Sequence, residues 1–201
     1  MSENDTFRSL LKPAEGIYKE KGSKFIAYAA AIANEEDAKN QLAQIKTLHP
    51  SARHFCFAWK LGNDDHYYRV NDDGEPSGSA GLPILGQLRS FEITNVQLVV
   101  VRYFGGTKLG VSGLKNAYKA AAADALTQAK IGKRIRSRQF IIRFPYEATS
   151  AVMQQLKGLN AEIKEQQFES ECMLIYRIRE RDAVKLQQQL NAIEGVSFQS
   201  K

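Results

Sequence analysis

Apolar and polar positions repeat with two periods along this chain, and the change from one to the other marks out the elements. Residues 15–32 alternate around Lys21-Gly22-Ser23-Lys24, which predicts a hairpin whose second strand covers 25–32. Asn34 followed by Glu35, Glu36 and Asp37 supplies a helix N-cap and an acidic first turn. Ala38, Leu42, Ile45 and Leu48 then recur at helical spacing until His49-Pro50 ends the run. Phe55, Phe57 and Trp59 alternate with His54, Cys56 and Ala58, the pattern of a strand with an aromatic face. Its expected partner is 67–70, across the polar turn Gly62-Asn63-Asp64-Asp65. Pro83 suits the first turn of a short helix reaching about Arg89, and 96–101 is a continuous apolar run, as in a strand covered on both faces. Leu114, Tyr118, Ala121 and Ala125 mark one face of a helix reaching about Lys130, with alanines that permit close approach to a sheet.

The periodicity breaks at Ile131-Gly132-Lys133-Arg134-Ile135-Arg136-Ser137-Arg138, so the domain boundary is expected here, giving domains 1–132 and 133–201. Beyond it the pattern reads strand (139–144), helix (147–159), strand (162–168), strand (172–179), helix (182–193) and strand (196–199). Val152, Leu156 and Leu159 line the first helix. Ala183, Leu186, Leu190 and Ile193 line the second, closed by Gly195. This βαββαβ order is the ferredoxin-like pattern, and the fold class expected is a two-domain α+β protein.

Composition narrows the picture. A chain of 201 residues with 43% apolar positions can bury an ordinary core, and no stretch approaches the roughly 20 apolar residues of a membrane span. Met1-Ser2-Glu3-Asn4-Asp5 lacks the basic start and apolar stretch of a secretory signal, so a cytoplasmic location is expected. Cys56 and Cys172 are too few for a disulfide framework and read as buried small residues. The net charge of +6 divides into +2 for 1–132 and +4 for 133–201, a modest excess that favours polyanionic partners.

Two glycine-studded segments stand out. The first is Asp72-Asp73-Gly74-Glu75-Pro76-Ser77-Gly78-Ser79-Ala80-Gly81. The second, Arg102-Tyr103-Phe104-Gly105-Gly106-Thr107-Lys108-Leu109-Gly110-Val111-Ser112-Gly113, directly follows the apolar run. Such loops are entropically costly to order, which points to surfaces built for contact. DDGEPSGSAG, then VVVRYFGGTKLGVSGL and Ala117-Tyr118, resemble the signature of the YigZ/IMPACT family. Arg53-His54 fits the same resemblance, and the C-terminal third is similar to the small second domain of bacterial members. The resemblance implies that the first domain is a ribosomal protein S5 domain 2-like sandwich, as in domain IV of elongation factor G. It implies that the second is similar to that factor's following ferredoxin-like domain, and it implies an association with translational control. Eukaryotic relatives bind a regulatory protein, a further partner implied, although they do so through an additional N-terminal domain with no counterpart in these residues.

The candidate chemistry divides between contact and catalysis. Gly105, Gly106, Gly110 and Gly113, leading from a buried strand into a helix, could form an amide nest for phosphate, with Lys108 and Lys115 adding charge and Arg102 a bidentate contact. The equal alternative is that these glycines only allow tight turning. Val111 stands where a P-loop requires lysine, and no GxGxxG occurs. Asp72, Asp73 and Glu75 could converge on a cation or act as acid and base. Turn chemistry explains Asp72, Asp73, Gly74, Glu75, Pro76, Gly78 and Gly81 better, as a structural or recognition loop, and no metal or other cofactor is expected. His54 reads as a satisfied strand histidine or, beside Arg53, as a phosphate contact. Tyr103 and Phe104 beside Arg102 form a stacking platform for RNA, with one of the two pointing inward. Lys133, Arg134, Arg136 and Arg138 form the best electrostatic patch, although a solvated charge run is the commoner explanation.

The reading these residues support is a noncatalytic RNA- or ribosome-binding protein modulating translation. The alternatives are an enzyme on a phosphorylated or nucleotide-like small molecule and a protein-interaction adaptor. A deep closed pocket joining 72–81 with 102–113 would favour the enzyme, and a contiguous exposed apolar patch the adaptor. The sequence sets no oligomeric state.

Overall fold

The computed structural model describes residues 5–62, 66–169 and 171–199. The expected turn residues Asn63, Asp64 and Asp65 lie outside them. Two compact units are present: Phe7–Arg134 forms one, and Asp5 and Thr6 join Ile135 onward in the other.

The first unit runs β1 (Thr6–Leu10), β2 (Ala14–Glu20), β3 (Ser23–Ala31), α1 (Glu35–Leu48), β4 (His54–Lys60), β5 (Tyr68–Asn71), α2 (Gly81–Ser90), β6 (Val96–Tyr103), α3 (Gly110–Gln128) and β7 (Ile131–Ile135). Lys21 (φ 45°) and Gly22 (φ 79°) turn the β2–β3 hairpin in the two-residue form that matches strand twist. The Asn34 side chain accepts from the Asp37 amide at 2.8 Å, and the Asp37 carboxylate accepts from the Ala33 amide at 2.7 Å, so α1 starts where its cap residue stands.

A five-stranded antiparallel sheet of order β2-β3-β6-β4-β5 forms the centre. Register assigns its faces. Ala27, Val100 and Cys56 lie side by side, as do Ala29, Leu98 and Ala58, and both rows pack under α2 and α3. Phe55, Phe57, Trp59, Val99 and Val101 occupy the other face with Ala38 and Ile45 of α1. β6 is apolar at Val96 and from Leu98 to Val101 because both of its faces are covered, and polar Gln97, which interrupts the expected apolar run, is buried with them. Each fully buried large aliphatic or aromatic side chain contributes about 1.5–3 kcal/mol, and β6 places Val96, Leu98, Val99, Val100 and Val101 at no exposure.

The basic stretch after α3 is not the aperiodic linker expected. Its first half is β7, which pairs with β1 in a two-stranded sheet, so the expected boundary at 132/133 falls inside a strand. Backbone pairing does not require apolar side chains, and the side chains of Lys133 and Arg134 remain exposed on this strand.

In the second unit, β8 (Ser137–Pro145), a single 3₁₀ turn (Tyr146–Ala148), α4 (Thr149–Gly158), β9 (Glu162–Gln167), β10 (Glu171–Arg179), α5 (Glu180–Asn191) and β11 (Ser197–Gln199) build a four-stranded antiparallel sheet of order β11-β8-β10-β9. This is the ferredoxin-like arrangement. Ile142, Phe144, Leu174, Tyr176 and Ile178 pack with Val152, Leu156, Leu186 and Leu190 of the helices. Asp5 is built into this unit. Its carbonyl accepts from the Arg136 amide at 2.7 Å, and its carboxylate accepts from Arg179 Nε and Nη2 at 2.8 and 2.7 Å.

Candidate functional site

The first glycine loop is a knot of carboxylates turned inward. Asp72 accepts from the amides of Gly78, Ala80 and Gly81 at 2.8, 2.9 and 2.8 Å, and thereby caps α2, which has no cap side chain of its own. Asp73 accepts from the Phe55 amide at 2.7 Å, and its carbonyl accepts from His54 Nδ1 at 2.9 Å, which fixes the ring tautomer. Glu75 Oε1 accepts from Arg102 Nη1 at 2.6 Å and from the Tyr118 hydroxyl at 2.8 Å. Pro76 and Gly74 are exposed at the rim. The three carboxylates therefore serve three different sets of donors rather than one cation. Among the described residues no group of three or more His, Cys, Asp or Glu is placed to hold a metal ion.

Behind this loop lies Cys56, its sulfur 3.0 Å from the Asp72 carbonyl and 3.2 Å from the Tyr118 hydroxyl. Burial pushes the Cys56 thiol well above its ordinary value, with the nearby carboxylates acting in the same direction. Burial raises the Tyr118 phenol as well, helped by Cys56 and Glu75. Neither is a nucleophile at physiological pH.

Arg102 is where structure and sequence differ most. Expected as a surface phosphate contact, it is 7% exposed and paired with Glu75, which is 4% exposed. The reason is register: Arg102 lies beside Phe25 and His54 and continues the Leu98, Val100 face that packs under α2 and α3. Its guanidinium sits 5.5 Å from the ring centres of both Phe25 and Phe104. Tyr103, on the opposite face, is also turned inward. Its hydroxyl lies 2.9 Å from His49 Nδ1, and His49 Nε2 lies 2.7 Å from the Tyr28 hydroxyl. The exposed member of the expected stacking pair is therefore Phe104, at 58%.

The second glycine loop is exposed from Gly105 to Lys108. A Cβ on Gly105 would lie 1.9 Å from the Gly22 carbonyl carbon, so this glycine allows two backbones to cross. Its amide donates to the Ser23 hydroxyl at 3.1 Å. Gly106 and Gly110 have positive φ, and α3 opens with no cap side chain. Lys108, Lys115, Arg53 and Lys133 are exposed, and no ion pair among the described residues involves them. The rest of the basic stretch is engaged: Arg138 grips Glu180 through Nε and Nη2, Arg134 donates to the Leu10 carbonyl at 2.7 Å, and Arg136 is half-buried. Gly113 lies against Leu109 in the first turn of α3, and Gly81 approaches the Asn71 backbone.

Two functional groups escaped the sequence reading. Tyr118 was read as part of an apolar helix face and of the family signature, with no role for its hydroxyl, and His49 as a helix end. Alternation gave a signal for the second, since Tyr103 belongs to the same face as Val99 and Val101, above which α1 packs.

A two-unit α+β protein is thus defined by an antiparallel sandwich, with two glycine loops joined by a buried ion pair, and a ferredoxin-like unit. Residues 21–126 match the family described as the Impact N-terminal domain. The chain belongs to the IMPACT family. It is 36% identical to an IMPACT family member of Haemophilus influenzae over 80% of this chain and 79% of that one. It is 34% identical to YigZ of Escherichia coli over 70% of each. Its match to YvyE of Bacillus subtilis, at 36% identity, covers 73% of this chain and 64% of that relative's length. A crystal structure of a hypothetical protein superposes with a TM-score of 0.74 and 25% identity, covering 98% of both chains.

Proposed function

We propose that this protein is a noncatalytic RNA- or ribosome-binding protein that modulates translation in the cytoplasm. The observation that carries the reading is the exposed second glycine loop, which opens with exposed Phe104 and where Lys108 and Lys115, free of ion pairs among the described residues, flank the uncapped start of α3. Lysines and open amides suit phosphate oxygens without reading bases, and an exposed ring suits a splayed base. Family membership supports the link to translation. The catalytic alternative loses its groups, because Asp72, Asp73 and Glu75 hold the fold together and burial keeps the Cys56 thiol protonated. A cleft of about 500 Å³, lined by Arg8, Lys60, Arg89 and Thr94 among others, draws no residue from either glycine loop. Among the described residues no helix is long and apolar enough to cross a membrane.

The test is sedimentation of the purified protein with ribosomes, and separately with ribosome-depleted RNA, over a salt series. Comigration at low salt should fall steeply as salt rises, and each of Lys108→Ala and Lys115→Ala should reduce the log–log slope by about 0.7 if the phosphates are single-stranded. Absence of comigration at low salt would overturn the reading.

A further inference from the structure

Three arginines of the second unit hold carboxylates in one manner. Arg138, Arg177 and Arg179 use the edge formed by Nε and Nη2 to grip Glu180, Glu162 and Asp5 at 2.6–3.1 Å. Arg102 departs from this manner. Only its Nη1 holds Glu75, while Nε is buried with no hydrogen-bond partner and Nη2 makes no hydrogen bond among the described residues. The side-on edge is therefore open in the guanidinium that is only 7% exposed, against 34–62% for the other three. Buried N–H groups are nearly always satisfied, so an unfilled one in this place points to an acceptor from outside the chain.

The surroundings describe that acceptor. A planar edge with two parallel donors matches two oxygens of one oxyanion. His54 lies directly across the strand from Arg102 on the same face, with Nδ1 donating to the Asp73 carbonyl. In the neutral ring this leaves Nε2 as an acceptor, suited to the hydroxyl of a singly protonated phosphate. Phe104, 58% exposed, covers the guanidinium on its outer side. Glu75 already balances one positive charge, which favours a ligand of low charge. An edge so little exposed suits the end of a molecule better than the interior of a polymer strand.

We propose that the open edge of Arg102, with His54 beside it and Phe104 above it, is a binding site for a small oxyanion: free phosphate or the terminal phosphate of a larger molecule. The site is separate from the lysines of the RNA reading and does not depend on them. Full-length ¹⁵N-labelled protein is titrated with inorganic phosphate while the arginine Nε–H signals are followed by NMR, Arg102 being assigned through its own side-chain carbons. The expected result is a saturable shift of the Arg102 Nε–H and of the His54 ring nitrogens that chloride at equal ionic strength does not reproduce. Arg102→Lys keeps a charge beside Glu75 but lacks the edge, and should bind phosphate at least about tenfold more weakly. Should that variant fail to fold, the wild-type titration still decides. An oligoribonucleotide with a 5′-phosphate should shift the same signal, and its unphosphorylated twin should not. A flat phosphate titration, or equal shifts with both oligonucleotides, overturns the proposal. Ribosome cosedimentation that persists beside a flat titration would show that the RNA reading stands without this site.

Discussion

Glu75 and Arg102 carry the loop geometry as a pair. Charge removal from one member leaves the other buried and uncompensated, which typically costs about 3–5 kcal/mol. Glu75→Gln retains the side-chain shape, so a marked fall in the urea midpoint of the full chain is expected from the charge alone. An unchanged midpoint would mean that water reaches the pair freely. By the same reasoning Arg102→Ala, which leaves the Glu75 carboxylate buried without its partner, should destabilise the fold. Arg102 was partly legible: carrying the alternation of Leu98 and Val100 one step past the apolar run places it on the α3 face. Its partner was not legible, because Glu75 is 27 positions away and nothing in a turn-rich segment distinguishes an inward carboxylate from an outward one.

Among the elements, α1 was readable because its signals are local: a capping Asn34, acidic residues after it and helical spacing to Leu48. β1 and β7 were not, since each is only five residues long and finds its partner more than a hundred positions away. α3 packs tightly on β2, and its Ala121, Ala122 and Ala125 are fully buried. A Cβ on Gly16 would lie 2.3 Å from the Ala125 amide nitrogen. Backbone cannot yield as a flexible side chain does, so Gly16→Ala must push the helix off the edge strand. The expected cost is at least the roughly 1–3 kcal/mol of ordinary overpacking, with faster amide exchange in β2 than in β4. Wild-type stability and exchange in this variant would contradict the close approach.

For the molecule as a whole, the ferredoxin-like unit was legible from element order alone, since βαββαβ leaves few arrangements that bury both helices on one face. What order could not reveal is that Asp5 belongs to that unit. The hydrogen bonds from Arg179, aided by the charges of Arg179 and Arg181, hold the Asp5 carboxyl below its ordinary value against the opposing effect of burial. A lowered carboxyl favours the folded state above the unfolded value, near pH 4, and the benefit disappears as pH falls through the lower folded value. Asp5→Asn should therefore be less stable than wild type by a constant margin at neutral pH, a margin that shrinks on acidification below about pH 4. Denaturant midpoints of both proteins across pH would check this, and a margin unchanged down to about pH 2 would count against the linkage.

Asp5 and Arg179 are 174 positions apart. A chain is made from its amino end, so Asp5 emerges long before Arg179 and stands without its partner while the residues between them are synthesised. The Phe7–Arg134 unit is contiguous and can assemble during emergence, as N-terminal units generally do. The second unit is complete only when Asp5 meets the later strand β10, so residues made before the whole Phe7–Arg134 unit are fixed after it.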